Sequence, residues 1–215
     1  PGIGYGMTET TAYGPQNAGD DYIAKPTSAG RVVPIMELRV TGANDEPLPP
    51  GGVGEIWFKG PNLIRGYWNK AEATAETIVD GWLRSGDIGY LDEEGFIFVQ
   101  DRAKDMVLRA GENIYCAEIE AALYEHASVY EAAVFGLPHP RLGEDVAVAI
   151  YVKPGMSLDA DSVREHVGTR LAAFKVPNHV ELVDAPLPRN AAGKILKRQI
   201  RDEITARRGS SEGAA

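Results

Sequence analysis

The pattern of apolar and turn-forming residues changes near residue 101, and this change divides the chain into two parts. Up to Gln100, short apolar runs are separated by turns rich in proline and glycine, as is typical of β-structure. From Asp101 onward, segments with helical periodicity alternate with apolar strand-like runs. We therefore predict an α/β (α+β) chain with domains at 1–100 and 101–208 and a disordered polar tail at 209–215.

Local patterns predict individual elements within each part. In the first part we expect strands at 32–40 and 55–59, a helix at 71–78, and a hairpin formed by 85–91 and 96–100. In the second part we expect helices at 117–124, 161–171 and 195–204 and strands at 129–135, 146–152 and 180–183. Asp159 or Asp161 is suited to cap the middle helix.

Composition and charge exclude several classes of protein. Hydrophobic residues make up 44% of the chain and charged residues 25%, so a core can form. The net charge of −9 argues against a nucleic-acid partner, although a local basic patch could still bind a phosphorylated small molecule. Cys116 is the only cysteine, which excludes an intrachain disulfide and indicates a reducing compartment.

The sequence shows no apolar run near the ~20 residues that cross a bilayer, and no secretory signal pattern. We expect a cytoplasmic protein, with peripheral membrane association and oligomerisation both left open. The chain starts at Pro1 inside a glycine-rich segment rather than at a methionine, which we interpret as a cut.

Two motifs in the first part carry groups that suit nucleotide chemistry. The segment from Tyr5 to Thr10 places an aromatic ring, a hydroxyl and a carboxylate within one short flexible stretch. Asp87 lies between glycines at the end of a predicted strand, where an acidic residue can bind the hydroxyls of a ribose. Taken alone, a plain loop explains the first motif equally well, and a turn-capping aspartate is the simpler explanation of the second.

Three further motifs lie in the second part. Four charged residues crowd 101–105 at the predicted domain junction, where a solvated linker is the simpler interpretation. A glycine turn over 109–113 is expected before a helix, where backbone N–H groups could receive a ligand. The loop over 188–194 ends in a lysine but lacks the first glycine and the Ser or Thr of a P-loop.

The order and spacing of these motifs resemble the adenylate-forming superfamily, most closely its fatty-acyl- and aryl-CoA ligases. The matching segments run along the chain from Gly4 to Ile204. They are Gly-Tyr-Gly-Met-Thr-Glu-Thr at 4–10, Gly-Glu-Ile at 54–56, Gly-Tyr-Trp at 66–68, Ser-Gly-Asp at 85–87, Asp-Arg-x-Lys-Asp at 101–105 and Gly-Lys at 193–194.

The resemblance implies a role for each candidate residue. Tyr5 would stack on adenine, Thr8 would bind phosphate, Glu9 would bind Mg²⁺, and Asp87 with Arg102 would bind the ribose hydroxyls. Lys104 would be the hinge of a mobile small domain and Lys194 the catalytic cation. Gly111 would line the pantetheine passage, while Phe174 and Lys175 would meet the coenzyme A nucleotide.

The implied reaction joins a carboxylic acid, expected to be a fatty acid, to coenzyme A in two steps with ATP and Mg²⁺. Residues 1–100 would then be the end of the large AMP-binding domain, and 101–208 the small C-terminal domain. The superfamily's phosphate-binding loop lies upstream of Gly4, so we expect the isolated chain to be inactive. An enzyme that loads a carrier protein and a non-catalytic nucleotide- or CoA-binding module remain alternatives.

Overall fold

A computed structural model describes residues 1–191 and 193–212, which divide into two compact units between Lys104 and Asp105. Both units mix β-sheet with helices, which confirms the predicted fold class. None of the helices in the described residues has the length and apolar character needed to cross a membrane.

The first unit is built on an antiparallel sheet. Within residues 1–104 the sheet has eight strands in the order β1-β2-β3-β8-β7-β5-β4, with β6 paired to β7. The strands are β1 (Gly2–Gly4), β2 (Gln16–Ala18), β3 (Gly30–Arg31), β4 (Glu37–Thr41), β5 (Gly54–Lys59), β6 (Ile78–Val79), β7 (Trp82–Leu91) and β8 (Phe96–Arg102). Two short helices, α1 (Gly19–Ala24) and α2 (Ala71–Thr77), and a 3-10 helix at Thr8–Thr10 complete it.

Strand β5 is covered on both of its faces. Ile56 and Phe58 are fully buried and pack in the main core of this unit. Trp57 points to the opposite face yet is only 1% exposed. The guanidinium groups of Arg39 and Arg84 lie 4.7 and 4.9 Å from its ring and cover it through cation–π contacts.

The predicted helix at 71–78, the strand at 55–59 and the β7–β8 hairpin are confirmed. The single strand predicted at 32–40 is wrong, because only Glu37–Thr41 forms ladder bonds with β5. Pro34 lacks an N–H for such a ladder, and the Met36 N–H donates to the Val33 carbonyl at 3.0 Å in a turn.

The second unit has a smaller mixed sheet. Within its described residues the order is β10-β9-β12-β11, and β13 runs parallel to β12 after a crossover that contains α4. The strands are β9 (Val107–Arg109), β10 (Glu112–Ile114), β11 (Val129–His139), β12 (Gly143–Val152) and β13 (His179–Val183). The helices are α3 (Cys116–Tyr124), α4 (Ala160–Gly168) and α5 (Lys197–Glu212), with a 3-10 helix at Ala173–Lys175.

Helices cover both faces of this sheet because alternate residues of β11 and β12 point to opposite sides. Val134, Val148 and Ile150 pack in one core with residues of α3 and α4. Alanines and aromatic or aliphatic side chains on the other face pack against α5 through Ile200 and Ile204. The near-continuous apolar runs of these two strands follow from this double burial.

Two helix predictions need adjustment. The helix predicted at 161–171 is α4, and Asp159 is its cap, since the Asp159 Oδ1 atom accepts from the Ser162 N–H at 2.8 Å. The helix predicted at 195–204 starts later, at Lys197, because Ile195 forms a β-bridge with Arg189. Helix α5 then continues to Glu212, so residues 209–212 of the predicted disordered tail are helical, and residues 213–215 lie outside the described residues.

Candidate functional site

The loop that carries Tyr5, Thr8 and Glu9 is held by Thr10, which is fully buried. The Thr10 hydroxyl accepts from the Met7 N–H at 3.1 Å and donates to the Met7 carbonyl at 3.0 Å. This internal clamp closes the turn and leaves Thr8 exposed at its outer side. The Thr8 hydroxyl is thus accessible, as a phosphate-binding group must be.

Tyr5, Asp87 and Arg102 meet in one cluster, although the first lies far from the other two in sequence. The Tyr5 hydroxyl donates to Asp87 Oδ2, and Arg102 Nε lies 3.6 Å from Asp87 Oδ1. Strand register causes the second contact, since Asp87 on β7 is directly opposite Arg102 on β8. Burial and the hydrogen bond to Asp87 both raise the pKa of Tyr5, so its hydroxyl stays a neutral donor.

Arg102 belongs to a strand and not to the solvated linker that its charged surroundings suggested. Strand β8 extends through Arg102, and the next residue, Ala103, donates its N–H to the Gly86 carbonyl at 2.9 Å. The ordered backbone therefore holds the guanidinium beside Asp87. A carboxylate flanked by a hydroxyl and a cation can accept hydrogen bonds from a diol, which suits the ribose of a nucleotide.

Glu9 lies on the same loop, and its carboxylate is held by a second tyrosine. Tyr67 donates its hydroxyl to Glu9 Oε1 at 2.8 Å, and the Ile64 N–H donates to the Glu9 carbonyl at 2.9 Å. Among the described residues, no group of three or more His, Cys, Asp or Glu side chains could hold a metal ion unaided. Because Mg²⁺ is commonly held by one or two carboxylates together with phosphates, Glu9 fits a shared site of that kind.

Gly111 lies in a tight hairpin turn between β9 and β10. Ala110 and Gly111 have φ values of 53° and 89°, and positive φ at both central residues is what a type I′ turn requires. The turn precedes helix α3 as predicted, but a short strand that was not predicted, β10, lies between the turn and the start of α3 at Cys116. Gly111 is exposed, and the Ala110 N–H donates to the Leu142 carbonyl at 2.8 Å, which fixes the hairpin.

Phe174 and Lys175 lie in the 3-10 helix at Ala173–Lys175. The Phe174 side chain is exposed, which is uncommon for a large aromatic residue. Lys175 Nζ lies 2.5 Å from Glu118 Oε2 on α3 and 5.7 Å from the centre of the Phe174 ring. An exposed ring beside an ammonium group can bind a planar, negatively charged ligand.

Lys194 ends a loop that is closed by its own backbone. The Asn190 N–H donates to the Lys194 carbonyl, and the Lys194 N–H donates to Asn190 Oδ1, both at 2.9 Å. Gly193 has a φ of 80°, in the left-handed region that the turn needs. The loop therefore presents an exposed lysine from a defined backbone.

Lys104 is exposed in the turn between β8 and β9, as the last residue of the first unit. Within the first unit, the predicted site residues are thus the cluster of Tyr5, Asp87 and Arg102, the nearby loop residues Thr8 and Glu9, and Lys104 at its end. Within the second unit they lie on three separate segments.

Two buried carboxylates escaped the sequence prediction. Glu131 on β11 is 8% exposed and Asp145 on β12 is 4% exposed. An acidic residue within a long apolar strand run, or at its start, is the signal that could have identified them, because an acidic side chain is rarely buried without partners.

Two family models match the chain. The sequence model of the AMP-binding enzyme family matches residues 2–68, and that of the AMP-binding enzyme C-terminal domain matches residues 118–194. The first match contains the Tyr5–Thr10 loop, and the second ends at Lys194. The chain belongs to this family of AMP-binding enzymes, a branch of the adenylate-forming superfamily.

Similar proteins include several acid–CoA ligases. A feruloyl-CoA synthase from an Amycolatopsis species is 44% identical over 92% of this chain and 40% of its own. The long-chain-fatty-acid–CoA ligase FadD13 from Mycobacterium tuberculosis is 40% identical over 94% of this chain and 40% of its own.

Among solved structures, the o-succinylbenzoate CoA synthetase of Bacillus subtilis in complex with the acyl-adenylate intermediate OSB-AMP superimposes with a TM-score of 0.87. It is 35% identical, over 94% of this chain and 41% of the synthetase. The chain thus spans about two fifths of the length of the relatives that it matches.

Proposed function

We propose that the chain forms the C-terminal part of an AMP-forming acid–CoA ligase. In the first step a carboxylate attacks the α-phosphate of ATP, which gives an acyl-adenylate and pyrophosphate. In the second step the thiol of coenzyme A attacks the acyl carbon and releases AMP. One observation carries the proposal: the structure superimposes with a TM-score of 0.87 on a CoA synthetase that contains its acyl-adenylate.

The geometry of the first unit supports nucleotide binding. Asp87, flanked by the Tyr5 hydroxyl and Arg102, would accept hydrogen bonds from the ribose hydroxyls. The ring of Tyr5 would contact adenine, and the exposed Thr8 would bind phosphate. Glu9 would hold Mg²⁺ jointly with the phosphates, where the ion would neutralise charge that builds up on phosphate oxygens.

The second unit would supply one set of groups to the first step and another set to the second step. Lys194 would stabilise the charge that develops at the α-phosphate during acyl-adenylate formation. Gly111 would line the path of the pantetheine arm. Phe174 and Lys175 would contact the nucleotide of coenzyme A. Lys104 would be the hinge between the two arrangements.

The similar ligases act on acids of different kinds, as their names include a ferulate and a long-chain fatty acid. The substrate is therefore proposed as a carboxylic acid, and a fatty acid is the more specific form of the proposal. The shape of an acyl pocket would decide between them.

The proposal is tested with the full-length ligase and a panel of aryl and fatty acids. We expect ATP–pyrophosphate exchange that depends on one class of acid, followed by formation of the CoA thioester, detected by mass spectrometry. The absence of exchange with every acid, while ATP or CoA still binds, would instead support a non-catalytic binding module. Exchange followed by transfer to a carrier protein, and none to CoA, would support the carrier-loading alternative.

Two substitutions of Tyr5 distinguish the contribution of its ring to ATP binding from that of its hydroxyl. Loss of a base–aromatic contact typically costs about 1–3 kcal/mol, so Tyr5→Ala should raise the KM for ATP roughly 5- to 150-fold. Tyr5→Phe keeps the ring and loses only the donor to Asp87, so its KM should rise less. Both are measured by ATP–pyrophosphate exchange at saturating acid. Tyr13→Ala, at an exposed tyrosine on the same segment, is the control. Equal effects of Tyr5→Ala and Tyr13→Ala would exclude the adenine contact.

A further inference from the structure

Two buried carboxylates on the paired strands β11 and β12 hold different functional segments of the second unit. Glu131 and Asp145 are 8% and 4% exposed. Burial of a carboxylate costs free energy unless hydrogen bonds and opposite charges offset it. The hydrogen-bond partners of each carboxylate therefore show which segments of the chain it holds in place.

Glu131 holds the loop that ends at Lys194. Its Oε2 atom accepts from the Leu187 N–H at 2.7 Å, and its Oε1 atom lies 2.7 Å from Arg189 Nη2. The other terminal nitrogen of Arg189 donates to the Gly193 carbonyl at 2.5 Å. Since Gly193 directly precedes Lys194, a continuous chain of hydrogen bonds joins the buried carboxylate to the backbone of the lysine loop.

Asp145 holds the other two segments. Its Oδ1 atom accepts from Arg109 Nε at 2.8 Å, and its Oδ2 atom accepts from Asn178 Nδ2 at 2.8 Å. Arg109 leads into the turn that contains Gly111, and Asn178 follows the 3-10 helix with Phe174 and Lys175. Burial alone would raise the pKa of Asp145, but the hydrogen bonds from Asn178 and Arg109 bring that pKa below its usual value. Asp145 is therefore ionised at neutral pH.

The two carboxylates are far enough apart to act separately. In the β11–β12 register, Asp145 is opposite Leu137, whereas Glu131 is opposite Tyr151 near the other end of the ribbon. At about 3.3 Å per residue, this places them on the order of 20 Å apart along the strands. Sites separated by more than roughly 10 Å and without shared partners usually contribute independently.

We propose that Glu131 is a positioning residue for acyl-adenylate formation and that Asp145 is a positioning residue for thioester formation. One strand pair thus carries two carboxylates that act independently. Glu131 positions the lysine loop, and Asp145 positions the segments proposed to contact coenzyme A. This inference rests on the proposed function, because it assigns the two carboxylates to the two half-reactions of the ligase.

The test measures both half-reactions in the full-length ligase with Glu131→Gln and Asp145→Asn. Misplacement of a reacting group by about 1 Å can reduce a rate about 100-fold. Glu131→Gln should therefore lower kcat for acid-dependent ATP–pyrophosphate exchange about 10- to 100-fold. It should change thioester formation from supplied acyl-adenylate and CoA less than about twofold. Asp145→Asn should show the reverse pattern, with a raised KM for CoA.

Each variant is the folding control of the other, since a merely structural loss would affect both half-reactions. If either buried substitution unfolds the protein, the test is repeated with Arg189→Gln and Arg109→Gln. These variants remove the ion pairs to Glu131 and Asp145 at partly exposed positions. Equal loss of both half-reactions, or no loss in either, in folded variants would overturn the inference. If the wild-type protein performs neither half-reaction, the proposed function itself fails, and this inference fails with it.

Discussion

Replacement of Lys194 by alanine should abolish acyl-adenylate formation but leave thioester formation from supplied acyl-adenylate intact. The ammonium group would interact more strongly with the transition state at the α-phosphate than with bound ATP, so its loss raises the barrier rather than only weakening binding. Removal of one such interaction typically costs on the order of 10²–10³ in rate, or about 3–4 kcal/mol. The measurement is ATP–pyrophosphate exchange beside CoA-thioester formation from synthetic acyl-adenylate.

The control is Arg198→Ala, which removes a nearby cation whose side chain is 88% exposed. It should leave both half-reactions within about twofold of the wild type, because exposed surface charges contribute little. If Lys194→Ala fails equally on supplied acyl-adenylate while it remains folded, Lys194 serves both steps or is structural.

Replacement of Lys104 by proline should have the opposite effect: adenylation persists and thioester formation is lost. Proline fixes φ near −65° and restricts the residue before it, so a hinge at this position could not adopt a second conformation. Because thioester formation needs that second conformation in the proposed mechanism, we expect its rate to fall at least about 10-fold. Single-turnover measurements of each half-reaction separate the two effects.

Lys104→Ala is the matched control, since it removes the charge but leaves both backbone dihedrals free. It should leave both steps near the wild-type rate. A similar loss in the alanine and proline variants would assign the role of Lys104 to its ammonium group, and the hinge assignment would be wrong.

Much of the fold could be predicted from local pattern. The strands β11 and β12 are long apolar runs, and α4 has both periodicity and a cap, so burial and local hydrogen bonding agree there. The predictions failed where a local sequence feature was compatible with two different structures. The apolar run at 32–40 was divided by Pro34, and the turn at Gly111 joins two short strands, β9 and β10, that were not predicted.

The site was less predictable, because its contacts depend on strand register. Asp87 meets Arg102 only because β7 and β8 pair with a bulge between Ile88 and Gly89, which no local pattern indicates. The contact from Tyr5 to Asp87 likewise joins residues far apart in sequence. The order of the motifs identified the candidate site residues, whereas the structure shows which of them lie close together.

The connection between the two units is short, and this limits the motion that the proposed mechanism requires. The Ala103 N–H is bonded to the Gly86 carbonyl, and the Cys116 thiol donates to the Asp105 carbonyl at 2.9 Å. The segment from Ala103 to Asp105, which includes both anchored residues, spans at most about 10 Å. In the proposed mechanism, so short a tether would confine the second unit to rotation about a nearly fixed pivot, and it would give the groups on that unit the high effective concentration of a short linker.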